Sequence, residues 1–88
     1  MRYNMRYNNE NLLEMVEMYA EEVGAISSEE MLSELFDYDI VQTIIEEYSE
    51  DDTVAINEGF NNWSDMLCKD REIHPEQYQH YCYVGKYS

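Results

Sequence analysis

Apolar residues recur at helical spacing along most of this chain. Leu12, Leu13, Val16, Tyr19, Ala20 and Val23 fall at i, i+1, i+4, i+7, i+8 and i+11. That is one face of a helix over Asn9 to Val23. Glu10, Glu14, Glu17 and Glu21 share the opposite side, and Gly24 stands where a C′ glycine would end the helix. Ser27 with Glu30 three residues on reads as a capping box. The helix it opens turns Met31, Leu32, Leu35 and Phe36 inward. Asp37-Tyr38-Asp39 interrupts that pattern, and either aspartate serves as N-cap for a further helix. Ile40, Val41, Ile44, Ile45 and Tyr48 are β-branched enough to suggest a strand, but their spacing favours a helix.

After the acidic loop Ser49 to Asp52, Asp52 or Thr53 caps another helix carrying Ile56, Phe60, Trp63 and Leu67. Gly59 inside it costs about 1 kcal/mol relative to alanine, which points to close approach of a neighbouring helix. Ile73 returns to the core. His74-Pro75 matches an N-cap followed by proline at N1, opening a short helix to Tyr81. The tyrosine-rich end, Cys82 to Ser88, is a short strand or an extended tail. The expected fold is mainly α: a single-domain bundle of four to five short helices over residues 9–88. Residues 1–8, a perfect MRYN-MRYN tandem, form a loosely held N-terminal arm.

Charge changes this picture most. The chain has 88 residues, 20 acids, 5 bases and a formal net charge of −15. Between Tyr7 and Cys68 there are 17 acids and no lysine or arginine. Such acidity often means disorder, but 44% of the residues are hydrophobic, enough for a small core. No apolar run reaches the roughly 18 residues that span a bilayer. The start lacks the apolar stretch of a signal peptide. The expectation is a soluble, cytoplasmic protein, repelled by anionic membranes and by nucleic acid. Cys68 and Cys82 are expected to be free thiols.

Candidate chemistry is sparse. Both cysteines and both histidines lie in the last 21 residues, with no Gly-rich oxyanion turn nearby. The reading is therefore not an enzyme, with no cofactor. Cys68, His74, His80 and Cys82 give C-x5-H-x5-H-x-C, the right number and type of ligands for structural zinc. The spacing matches no common finger, and a cap, a surface histidine and half-buried thiols account for the four residues. An EF-hand reading of Leu67 to Ile73 fails because Arg71 occupies the glycine position.

The acids have a natural comparison. A compact chain of this length has a radius of gyration of about 12 Å and a diameter of roughly 30 Å. Thirty ångströms of duplex DNA carry about 18 phosphate charges, close to the net −15 here. Solubility needs a net charge of only about 2–8. Halophilic adaptation is one explanation of the excess, but nine tyrosines and many large aliphatics fit it poorly. Mimicry of DNA is the stronger explanation. The acids expected to project are Asp37, Asp39, Glu46, Glu47, Glu50, Asp51 and Asp52, with Tyr38 and Tyr48 adding amphipathic contact area. Glu29, Glu30 and Glu34 come second.

The acid-only helical body, the small size and the tyrosine and asparagine content resemble the small inhibitors that phages and mobile elements carry against restriction enzymes and CRISPR effectors. Glu17-Met18-Tyr19-Ala20-Glu21-Glu22-Val23-Gly24-Ala25 is loosely similar to a helix–glycine segment of antirestriction proteins of the ArdA type. Asn57 to Asp70, with Ile73 and Gln77, resembles a stretch of small phage proteins in which position 71 is often glycine; here it is Arg71. The resemblance implies a stoichiometric inhibitor whose partner is a DNA-binding host defence protein, a Cas effector or a restriction enzyme, inside the bacterial cytoplasm. The alternative is an acidic adaptor or oligomerisation module with no DNA-competing role. A homodimer through the Tyr- and Met-rich faces suits either.

Overall fold

The structure, a computed structural model, describes the backbone of residues 9–88 and the side chains from Leu12 onward; the expected N-terminal arm lies outside the described residues. Five helices follow one another: α1 (Asn9–Val23), α2 (Glu29–Asp39), α3 (Val41–Glu47), α4 (Thr53–Lys69) and α5 (Pro75–His80). No strand occurs among the described residues, and the C-terminal segment is a tail without regular secondary structure. The mainly α reading therefore holds.

The core is Leu32 and Phe36 of α2, Val41 of α3, Ile56 and Phe60 of α4, then Ile73, Tyr81 and Tyr83. Its centre is aromatic. The Phe36 ring lies 5.3 Å from Phe60 and 5.3 Å from Tyr83, both edge-on, and 5.4 Å from Trp63. Edge-to-face pairs at this range each add about 0.5–1.5 kcal/mol beyond their buried area. α3 and α4 meet at Gly59, where an added Cβ would overlap the Ile44 Cδ1 methyl. The close approach expected there is present.

Two helices end in the same way. At the end of α1, the Gly24 N–H donates to the Glu21 carbonyl and the Ala25 N–H to the Ala20 carbonyl. At the end of α4, the Arg71 N–H donates to Cys68 and the Glu72 N–H to Leu67. Both are Schellman closures, which need a left-handed residue. Gly24 supplies it at φ +78°, and Arg71 supplies it at φ +64°. Position 71 is thus one where glycine is physically favoured, and this chain carries arginine there.

Several local expectations need correction. Ser28, not Ser27, caps α2, accepting from the Met31 N–H at 3.1 Å. Position N3 is then Met31, so the Ser27–Glu30 box does not form. α2 also runs straight through Asp37-Tyr38-Asp39. The break falls at Ile40, so neither aspartate caps α3, whose N-terminus has no side-chain cap. Asp52 does cap α4, through Ala55 N–H at 3.0 Å. His74 caps α5 as expected: its Nδ1 accepts from the Glu76 N–H, while its own N–H donates to Gln77 Oε1 at 2.8 Å. Tyr19, Val23, Met31 and Leu35, expected inward, are exposed. The body beneath α1 is a single short helix, α5, and covers only part of the wider apolar face of α1.

The molecule is longer than its chain length suggested, with a radius of gyration of 14.4 Å and extents of 48 × 23 × 20 Å. Over 48 Å duplex DNA carries about 28 charges. The net −15 is therefore spread at roughly half the linear density of duplex.

Candidate functional site

The acids divide into two populations that the sequence does not distinguish. The first lies beneath the C-terminal tail. Residues 81–84 lie along α2 without regular secondary structure, and the chain then turns over residues 85–87. The Cys82 N–H donates to Glu29 Oε2 at 2.7 Å, the Val84 N–H to Ser33 Oγ at 3.0 Å, and the Lys86 N–H to Asp37 Oδ2 at 2.7 Å. Alternate amides of an extended chain lie about 6.6 Å apart. Acceptors four residues apart on a helix lie about 6.0 Å apart. Glu29, Ser33 and Asp37, at i, i+4 and i+8, thus match every second amide of the tail.

The intervening side chains, Tyr81 and Tyr83, turn into the core. Their hydroxyls donate to Glu17 of α1 and Asp37 of α2. Burial, with the Asp37 hydrogen bond second, pushes the Tyr83 phenol up to about 12. Burial followed by the Glu17 bond raises Tyr81 as well. Glu17, expected on the solvent side of α1, is half-buried for this reason. Asp37, expected to project, has both carboxylate oxygens occupied by Tyr83 and Lys86.

The second population faces solvent. Asp39, Glu46, Glu47, Glu50 and Asp51 are exposed, on the end of α2, on α3 and in the α3–α4 loop. Asp52 is half-buried, and one of its oxygens is committed to the α4 cap. Tyr38 is 85% exposed and Tyr48 61%. These residues follow one another in the chain, from the last turn of α2 through α3 into the loop before α4. Among the described residues the ion pairs are Lys69–Asp65 at 3.0 Å and His80–Glu76 at 3.4 Å. Neither involves these acids. Of the second-choice acids, Glu30 and Glu34 are exposed, while Glu29 is held by the tail.

A different surface, missed in the sequence, lies at the other side of the chain order. α1, the α4–α5 turn and the start of α5 enclose an open groove of about 750 Å³. Leu12, Met15, Val16, Tyr19, Val23 and Ile73 make it apolar, and Lys69, Arg71 and Glu72 border it. It shares no residue with the run of acids from Asp39 to Asp51. The signal available in the sequence was the width of the α1 apolar face, broader than a six-residue partner helix can cover.

No group of three or more His, Cys, Asp or Glu residues is placed to hold a metal ion among the described residues. Cys68, His74, His80 and Cys82 are not brought together as a site. His74 Nδ1 is occupied by its cap, and His80 Nε2 faces Glu76 Oε1, an oxygen with no hydrogen-bond partner. The Leu67–Ile73 segment is the Schellman turn, not a calcium loop. Both thiols are free. No described helix is long and apolar enough to cross a membrane. Compared with known proteins, the chain matches no family model, no curated protein and no solved structure.

Proposed function

We propose that this protein inhibits a nucleic-acid-binding host defence enzyme, a CRISPR effector or a restriction enzyme, by occupying its basic DNA-binding surface. The observation that carries the reading is the run of exposed acids from Asp39 to Asp51, none of them in an ion pair among the described residues. Asp39, Glu46, Glu47, Glu50 and Asp51 are exposed on an ordered scaffold, with no cation between Tyr7 and Cys68 to pair with them. Leaving like charges uncompensated opposes folding. A basic partner surface relieves that repulsion and releases its own bound counterions, as DNA does. Tyr38 and Tyr48 stand beside the acids and add stacking and hydrogen-bonding area. The density, about half that of duplex over the full length, favours a local contact at these acids over mimicry along the whole molecule. Such an inhibitor uses no catalytic residue and no cofactor.

The test is competition. Affinity for the captured partner should fall steeply between roughly 50 and 200 mM salt, and duplex DNA should displace the protein. Charge reversal of Glu46, Glu47, Glu50 and Asp51 to lysine should abolish inhibition with the helical circular dichroism unchanged. A partner that does not bind DNA, or that DNA fails to displace, sinks the proposal. The second reading, an adaptor without DNA competition, is favoured by the apolar groove. It requires that binding depend on Tyr19 and Val23 and be insensitive to the charge reversal.

A further inference from the structure

We infer that the cleft between α3 and α4 receives an arginine side chain from the partner's basic surface. The proposed function provides the source of that arginine; the cleft alone defines the chemistry. The cleft is open and holds about 350 Å³. Ile44 and Tyr48, four residues apart at the end of α3, form one wall. Ala55 and Gly59, four residues apart on α4, form the other. Two such small residues leave space between the helices that longer side chains would fill. Val54, 70% exposed, carries the apolar lining out to the surface.

The polar lining has one sign. Asp52 and Glu58 face the cleft, and none of the bases Lys69, Arg71 and Lys86 lines it. Asp52 gives its Oδ1 to the α4 cap. Its Oδ2 and the Glu58 carboxylate have no hydrogen-bond or ion-pair partner among the described residues. A matching group is therefore apolar along its stem and cationic at its head. That describes the long basic side chains, whose methylenes lie on apolar surface while the charge meets an acid. Tyr48 selects between them. It is 61% exposed, so its ring has a free face. A guanidinium is planar and weakly hydrated, stacks on such a face, and presents several N–H donors to carboxylates at once; an ammonium does not. The cleft also adjoins the exposed acids in sequence, since Glu47 precedes Tyr48 and Asp51 precedes Asp52. Those acids attract a basic surface at long range, and the cleft fixes its register.

The experiment is an NMR titration with Nα-acetyl-arginine amide at about 0.15 M salt. The citrulline and lysine analogues serve as controls. Saturable shifts at the amides of Ala55, Gly59 and Asn62 are expected, with a Kd of about 1–10 mM. Citrulline keeps the shape without the charge and should bind roughly tenfold more weakly. Asp52→Asn with Glu58→Gln should abolish the shifts with the circular dichroism unchanged, because asparagine still caps α4. Tyr48→Leu should bring arginine down to the affinity of lysine. Shifts that fail to saturate and follow all the exposed acids alike overturn the inference, as does equal binding of citrulline. Equal binding of lysine to the unaltered chain overturns the choice of a guanidinium. Inhibition separates this inference from the reading it rests on. A partner that DNA fails to displace sinks the proposed function and leaves the arginine titration standing. Full inhibition by the Asp52→Asn, Glu58→Gln chain, alongside its loss on charge reversal of Glu46, Glu47, Glu50 and Asp51, sinks the inference alone.

Discussion

Asp37 and Asp39 stand two residues apart on the same helix and do opposite things. Asp37 is half-buried, takes the Tyr83 hydroxyl on one oxygen and the Lys86 amide on the other, and fastens the tail to the core. Asp39 is exposed and is among the acids that face solvent. Two residues on a helix are about 200° of rotation, enough to move a carboxylate from beneath the tail to open water. The contrast extends across the molecule. Glu17, Glu29 and Asp37 are structural acids, satisfied by phenols and amides in place of cations. The carboxylates of Asp39, Glu46, Glu47, Glu50 and Asp51 have no ion-pair or hydrogen-bond partner among the described residues. A charge count treats both groups alike; only the first contributes to stability, and only the second is available to a partner.

The sharpest way to break this distinction is to exchange the two aspartates for alanine. Asp37→Ala leaves a buried phenol and a tail amide without acceptors. It should cost about 2–4 kcal/mol in urea denaturation. Asp39→Ala should stay within about 0.5 kcal/mol of wild type. Equal losses would erase the two populations. Gly59→Ala probes the scaffold that carries the free acids. The clash with Ile44 should outweigh the helix-propensity gain and destabilise by about 1–2 kcal/mol.

Neutralising Glu46, Glu47, Glu50 and Asp51 to their amides should raise stability by about 1 kcal/mol at low salt, an advantage that shrinks as salt screens the repulsion. The same exchange at Glu29 should lower stability under all salt conditions. Raising the pH tests the tail from the phenol side. Tyr83 ionises near 10 when free and is pushed up to about 12 in the fold. The folded state favours the protonated phenol, so its contribution is intact below about pH 10 and is lost as the pH rises through about 12. Unfolding midpoints should fall over that window, and Tyr83→Phe should flatten the fall. The smallest effect is expected at the α4 terminus, where Arg71→Gly should stabilise by about 0.5–1 kcal/mol by relieving the left-handed conformation.

The parts of this fold legible in the sequence are those set by neighbours in the chain. The end of α1 at Val23, the Asp52 and His74 caps and the Gly59 contact all follow from residues within a few turns of one another. The Ser28 cap was missed by one residue because Ser27 and Ser28 are chemically equivalent, and the apolar phase set by Leu32 and Phe36 decides between them. The continuation of α2 through Asp37 was hidden because two aspartates resemble a cap. What holds Asp37 in a helix is a partner 46 residues away. The tail ladder and the role of Glu17 depend on separations of about 50 residues or more, which no local pattern records. Among the candidate acids, exposure of Asp39, Glu46, Glu47, Glu50 and Asp51 was legible. The withdrawal of Asp37 and the partial commitment of Asp52 were not.

The ladder along α2 also has a signature in time. Cys82, Val84 and Lys86 give their amide protons to side chains of α2, while the intervening amides of Tyr83 and Gly85 have no acceptor among the described residues. In hydrogen exchange this segment, which has no regular secondary structure, should behave like the edge of a β-sheet. Slow and fast protons should alternate with a period of two, their protection supplied by a helix standing in for the neighbouring strand.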